Sequence, residues 1–305
     1  MKFFFYKLIC FVLPFALFYV LVSLTIIPAL IEKTEGPSTK KQIENSFSNS
    51  LNTQYELLIL GNSGAYRGIN PACFDVPSFN FSHDNDSYNQ MYYKLVWLLE
   101  HGKKPKFVIV GVDYFQFSFI SDTRNYVYSE FLGKNYMNDY ASNSNLIVKL
   151  ESWFEEKNIF KFSRMKYLIN LLHHPDTTIH QKNNGQYIKP GKALPNNKYS
   201  YSIKRLNIQV TYFEKLLTLC SQMKCKVFLT MLPVRKNALN NYTQQEIEEF
   251  NRFITLHTNA NIFYMNYSLS PDYNIEDYTD ITHLNERAAN KFSFQLNNFI
   301  LSKFK

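Results

Sequence analysis

Residues 55–64 read Tyr55-Glu56-Leu57-Leu58-Ile59-Leu60-Gly61-Asn62-Ser63-Gly64. Four consecutive aliphatic residues closed by a glycine suit a short strand buried on both faces, because a strand with one wet face alternates instead. Four further runs share this character: a weaker one at Ser78-Phe79-Asn80-Phe81, then Lys106 to Gly111, Lys226 to Met231 and Asn261 to Met265. Between them fall helical stretches. Asp86 or Ser87 can cap one that runs to Gly102 with Met91, Leu95 and Leu98 on one face; others cover about Ile203 to Met223, Thr243 to His257 and Asn285 to Phe304. Continuous apolar strands alternating with amphipathic helices predict an α/β domain with a mostly parallel sheet covered on both faces. In such a sheet, ligands bind at the carboxyl ends of the strands.

The composition fits this. With 46% hydrophobic residues, the 305-residue chain can bury a core, and four cysteines without a C-x-x-C pair exclude both a disulfide-framed miniprotein and a zinc ribbon. The net charge of +8 is spread along the chain, so it does not demand nucleic acid. Leu8 to Ile31 carries no ionisable group beyond the Cys10 thiol and the Tyr19 phenol. As a helix it would span roughly 36 Å, enough to cross a hydrocarbon core of about 30 Å. The stretch is long for a signal-peptide core and lacks a small-x-small cleavage site, so it reads as an uncleaved signal anchor in contact with the lipid bilayer. Residues 1–7 then form a short cytoplasmic tail, 32–53 a polar stalk, and 54–305 an exported domain. Between about 113 and 200 the alternation breaks, and an inserted cap is expected over the sheet edge, helical near Leu146 to Glu156 and Arg164 to Leu172.

Chemistry has two candidate locations. Ser63 follows the first strand directly, between Gly61 and Gly64, on a tight turn that exposes its hydroxyl beside backbone N–H groups. Near the other end, Asp280-Ile281-Thr282-His283-Leu284-Asn285 places an acid three residues before a histidine and just ahead of a helix that Asn285 can cap. That spacing lets Asp280 hold one imidazole nitrogen of His283 while the other accepts a proton from a serine, as nucleophilic acyl transfer requires.

A serine after the first strand together with Asp-x-x-His before the last helix resembles the SGNH/GDSL hydrolase superfamily, in particular its membrane-anchored branch of cell-envelope polysaccharide O-acyltransferases. Proteins of alginate O-acetylation and of D-alanyl transfer to teichoic acid belong to that branch. The resemblance covers roughly residues 55–112 and 205–304 and is carried by Leu60-Gly61-Asn62-Ser63, Asn80-Phe81-Ser82, Phe228 to Val234 and Asp280-x-x-His283-Leu284-Asn285. It implies a flavodoxin-like three-layer α/β/α sandwich needing no cofactor or metal, with Ser63 as nucleophile, His283 as general base and Asp280 orienting the imidazole. The amide of Ser63 would contribute to the oxyanion hole, and Gly64, His83, Asn85 and Asp113 are the oxyanion or substrate candidates. The sequence departs from the pattern at two places. Ser82-His83-Asp84-Asn85 has no glycine where the family has one, and Gly111-Val112-Asp113 carries an acid, unable to donate when ionised, where the family has Asn. Asn85 or an amide of the Ser82 to Asn85 loop would have to substitute.

The expected function is therefore an extracytoplasmic, membrane-tethered O-acetyltransferase or acetylesterase acting on an envelope polysaccharide, with a multispanning acyl-donor protein as the partner implied by analogy. The alternative is a non-catalytic protein that uses the same cleft to bind glycan or scaffold a modification complex. Other features carry less. His173, His174, Asp176 and His180 have ligand-like types in an exposed loop; Cys220 and Cys225 can pair or remain buried thiols. Most aromatics fill a core, although Tyr126-Val127-Tyr128 and Tyr136 are candidates for a sugar-stacking platform.

Overall fold

The computed structural model describes residues 2–26, 39–121, 124–140, 180–181, 183–188, 203–240 and 242–303. The chain divides into two compact units, residues 1–42 with 140–179 and residues 43–139 with 180–305.

In the first unit, Lys2–Leu24 forms helix α1. Its apolar side chains, among them Phe4, Phe11, Phe15 and Phe18, are exposed. The apolar helix, Lys2–Ile26, is long enough to cross a membrane. A helix that presents apolar groups on every side suits lipid better than water. The expected helices near Leu146 and Arg164 lie outside the described residues.

The second unit is built on a five-stranded parallel sheet of β1 (Leu57–Leu60), β2 (Ser78–Asn80), β3 (Phe107–Gly111), β6 (Lys226–Met231) and β7 (Ile262–Asn266), in the order β2-β1-β3-β6-β7. All five strands expected from the sequence are present. Leu57 pairs with Ser78 on one side and Phe107 on the other, so β1 and β3 adjoin although β2 lies between them in the chain. The chain thus runs outward from β1 to one edge, returns, and builds the rest of the sheet on the opposite side. A crevice opens outside the strand ends at such a reversal.

Helices cover both faces. Ala288, Phe292, Leu296 and Ile300 of α8 (Glu286–Ser302) share a core with Leu57, Ile59, Ile109 and Phe228. The alternate residues Leu58, Leu60, Val108 and Val110 point to the other face and are equally buried. Helices α4 (Tyr88–Glu100) and α6 (Asn207–Gln222) pack against each other. Start signals hold these helices close to their expected places. The Ser87 N–H donates to Gln90 Oε1 at 2.8 Å, Thr243 accepts from the Glu246 N–H at 3.2 Å to open α7 (Gln244–Thr255), and Asn285 accepts from the Ala288 N–H at 3.0 Å. Helix α6 begins four residues later than the expected Ile203.

Two expectations need correction. Residues 32–53 are not a uniform polar stalk: Thr39–Asn52 is helix α2, and from Ile43 onward it belongs to the compact unit. Ile43 and Phe47, four residues apart, fall on one helical face. The Phe47 ring is fully buried, stacked on Phe131 at 4.2 Å and edge-on to Trp97 at 4.8 Å and Phe81 at 4.9 Å. The stretch reads as polar because its apolar residues are few, but they share a stripe. The second correction concerns the aromatic platform. Tyr128 and Tyr136, on α5 (Asn125–Tyr140), are fully buried, so neither offers a ring to sugar.

Part of the insert is a hairpin of β4 (His180–Gln181) and β5 (Tyr187–Ile188). Its turn crosses the backbone of edge strand β2 so closely that a Cβ on Gly185 would lie 1.9 Å from the Asn80 carbonyl oxygen, and Gly185 also has φ of 92°. Only glycine fits there. Of the ligand-like cluster in the insert, only His180 lies among the described residues.

Truncating Phe47 tests whether α2 is integral. Phe47→Ala is expected to lower the unfolding free energy of the full chain in detergent by about 3–5 kcal/mol, as for a buried aromatic. A change within about 0.5 kcal/mol, typical of surface substitutions, would show that α2 is an accessory segment.

Candidate active site

The turn after β1 is shaped by close packing. A Cβ on Gly61 would sit 2.5 Å from the Ala65 Cβ and 3.4 Å from the Gly111 Cα, so glycine lets the ends of β1 and β3 meet beneath the next helix, α3 (Ser63–Gly68). Asn62 caps that helix: its Oδ1 accepts from the Gly64 N–H at 2.9 Å and its Nδ2 donates to Asp113 Oδ2 at 2.5 Å. At the far end, buried Asn80 donates through Nδ2 to the carbonyls of Ala65 and Ile69, both at 2.9 Å. Helix α3 is thereby held from both ends, and Ser63, its first residue, has no intrahelical acceptor for its N–H.

The second half of the site comes from the loop before α8. Tyr278 bridges Leu284, and the Thr279 N–H donates to the His283 carbonyl at 2.8 Å, closing a tight loop. Inside it, Asp280 Oδ1 accepts from the amides of Thr282 at 2.9 Å and His283 at 3.0 Å, while the His283 ring places Nδ1 2.7 Å from Asp280 Oδ2. Burial alone would raise the Asp280 pKa. The His283 hydrogen bond and charge and the two amides outweigh it, holding the carboxyl well below the usual carboxylate range. An ionised Asp280 fixes the proton on Nδ1 and leaves Nε2 as an acceptor. Nε2 lies 2.7 Å from Ser63 Oγ.

Residues 220 positions apart therefore meet in the crevice at the strand reversal. Ser63 Oγ, His283 and Asp280 form a hydrogen-bonded chain able to activate a hydroxyl for attack on a carbonyl. The His283 side chain keeps 15% of its surface exposed, enough for a substrate to approach. A pocket of about 570 Å³, its open mouth included, adjoins the pair and is bordered by Gly64, Val112, Asp113, Met231 and Leu232 among others.

The remaining candidates separate. Gly64 borders this pocket, but its amide already serves Asn62. Asp113 also borders it, as an acceptor only: Oδ1 takes the amides of Phe115 at 3.1 Å and Gln116 at 2.9 Å, and Oδ2 takes Asn62. Burial pushes its carboxyl up to about 6, against the pull of these three donors. Asn85 is exposed, in a turn with φ of 61°, and is not among the residues lining the pocket.

His83 is committed elsewhere, in a buried cluster. Its Nδ1 lies 2.7 Å from Lys94 Nζ and 3.1 Å from the Tyr128 hydroxyl; Lys94 also donates to Asp86 Oδ2 and to the Phe81 carbonyl at 2.8 Å, and Tyr128 donates to Asp86 Oδ1 at 2.6 Å. Burial and the Lys94 charge hold His83 well below its ordinary pKa, hence neutral, while burial pushes Asp86 up and Lys94 down to about 8, each opposed by the other's charge. This cluster pins the loop after β2. Sequence reading missed it, although Lys94 beside Met91, Leu95 and Leu98 on an apolar helical face was a visible signal. Cys220 and Cys225 are free buried thiols, with Cys225 Sγ 3.2 Å from the Cys220 carbonyl.

No family model matches the chain, and no curated protein matches it. The functional reading rests on this geometry.

Asp113 gives the site a pH signature. Its folded pKa lies above the ordinary carboxylate value of about 3.9, so its stabilising contribution is present below about pH 4 and is lost as the pH rises through about 6. The wild type should therefore lose stability relative to Asp113→Asn between those values, read from denaturant unfolding at each pH. Parallel pH profiles would contradict the assignment.

Proposed function

We propose that this protein is a membrane-tethered serine acyl-transfer enzyme that moves an acyl group to or from a hydroxyl of an envelope polysaccharide. The observation that carries the reading is the unbroken chain Ser63 Oγ, His283, Asp280, with both contacts at 2.7 Å, in the crevice where strand order reverses. That strand order also supports the flavodoxin-like sandwich implied by the resemblance to the SGNH/GDSL superfamily.

In this mechanism His283 Nε2 takes the Ser63 proton as Oγ attacks the acyl carbonyl. The tetrahedral adduct collapses, His283 returns the proton to the departing group, and an acyl ester remains on Ser63. A second hydroxyl, of sugar or water, then gives its proton to Nε2, attacks the ester, and leaves with the acyl group as Ser63 recovers its proton. Asp280 stabilises the imidazolium at each stage. The Ser63 amide is the oxyanion donor the reading supplies. A tether through α1 would confine the site to the membrane face where polymers are assembled, with the compact unit extracytoplasmic and the acyl group delivered by a multispanning partner.

One observation favours the other reading, a non-catalytic glycan-binding or scaffolding role. Asp113 sits as a pure acceptor where an oxyanion donor is expected, and the Gly64 amide is occupied.

Turnover of p-nitrophenyl acetate by the full chain in detergent separates the two. Ser63→Ala and His283→Ala are expected to reduce kcat by about 10⁶-fold, and Asp280→Asn, which leaves the imidazole in the wrong tautomer, by about 10⁴-fold. Unchanged turnover in Ser63→Ala would remove the enzyme reading.

A further inference from the structure

Gly185-Gln186-Tyr187, where the inserted hairpin turns into β5, bear one after another on the segment that carries Ser63. Gly185 lies against the Asn80 carbonyl, and the Asn80 side chain holds α3 through the carbonyls of Ala65 and Ile69. Gln186 is fully buried. Its Nε2 donates at 3.0 Å to the carbonyl of Arg67, one of those that a helix leaves unpaired in its last turn. The Tyr187 ring stacks on Tyr66 of α3, with centroids 5.2 Å and planes 14° apart, and faces the Arg67 guanidinium at 5.9 Å. Arg67 in turn pairs with Asp84 of the loop after β2 at 2.8 Å.

Stability alone does not account for this contact. It leaves the Tyr66 hydroxyl, Arg67 Nε and Gln186 Oε1 buried without a hydrogen-bond partner among the described residues, and each such group carries a desolvation cost that the stacked rings must offset. What the contact fixes is an angle. Helix α3 has six residues and a length of roughly 9 Å, so a tilt of about 6° at its Arg67 end displaces the Ser63 end by about 1 Å. The hydrogen bond from Ser63 Oγ to His283 Nε2 is 2.7 Å long and does not keep a reactive geometry through such a shift.

We infer that Gln186 and Tyr187 are positioning residues: with the turn seated at Gly185, they set the pitch of α3 and so the aim of Ser63 Oγ at His283. The inference rests on the acyl-transfer reading and deepens it, because it makes the reactivity of the nucleophile conditional on an element inserted between β3 and β6. Neither side chain is among those bordering the pocket beside Ser63, so their effect passes through α3. With the hairpin lifted, Asn62 and Asn80 still hold the ends of α3, but its Tyr66 and Arg67 face is released and Ser63 loses its fixed approach.

The test measures kcat and KM of the full chain in detergent with p-nitrophenyl acetate, each variant checked for folding by its unfolding transition and corrected against Ser63→Ala. Tyr187→Ala and Gly185→Ala, which unstack the ring or push the turn off Asn80, are expected to lower kcat by about 100-fold with KM within about twofold. Tyr187→Phe keeps the ring and is expected to retain most of the wild-type kcat. A wild-type kcat in folded Tyr187→Ala and Gly185→Ala would overturn the inference. So would a raised KM at unchanged kcat, which would make the hairpin a substrate-binding element, or a kcat in Tyr187→Phe as low as in Tyr187→Ala. If neither of the first two variants folds, Gln186→Ala decides on the same criterion. Turnover that does not depend on Ser63 would remove the acyl-transfer reading itself, and the positioning role with it.

Discussion

The approach of β1 to β3 at their carboxyl ends is the constraint on which the site depends. Gly61 and Gly111 lie against each other with the Ala65 methyl above them, leaving no space for a side chain at position 61. That contact lets α3 start immediately after the strand, and the start of α3 is what aims Ser63 into the crevice. Asn62 and Asn80 then fix the short helix at its two ends through five hydrogen bonds, with Gly64 and Ala65 of α3, with Ile69 just after it, with Asp113 and with the Ser82 amide. A six-residue helix has little stability of its own, so these side chains supply the rigidity that a nucleophile needs.

The other half of the site depends on a single carboxylate. Asp280 turns its own loop through the amides of Thr282 and His283 and orients the His283 ring with the same two oxygens. Loop geometry and imidazole tautomer are thus fixed together. Where the second and third oxyanion donors would ordinarily be expected, the protein has instead an acceptor, Asp113, and a buried ion cluster around Lys94. Both brace the loops that carry the crevice, so in the proposed acyl transfer the weight of transition-state stabilisation falls on the Ser63 amide.

Much of this was legible in the residues. Strands β1, β3 and β6 were visible because strands buried on both faces need unbroken apolar runs, β2 and β7 showed as shorter or more mixed runs, and the caps at Ser87 and Asn285 were visible because polar side chains at helix starts have a local job. Ser63, Asp280 and His283 stood out for the same reason: their local settings constrain them. What the sequence hid were interactions set by the tertiary fold. Phe47 looks like an isolated aromatic in a polar segment until Phe131 and Trp97 are brought against it. Asp113 does border the pocket, but only the tertiary fold turns its carboxylate to Asn62, and His83, a pocket candidate by its place after β2, has its ring turned to Lys94. Tyr128 and Tyr136 look like an open platform because nothing local says that α5 buries them.

The central claim is that Ser63 is a nucleophile activated by His283. Incubating the full chain in detergent with a serine-directed fluorophosphonate and mapping the modified peptide by mass addresses it directly. The account predicts a single adduct on Ser63 that disappears when His283 is replaced by alanine. An intact, folded chain that takes up no label, or takes it up at another residue with Ser63 untouched, would contradict it.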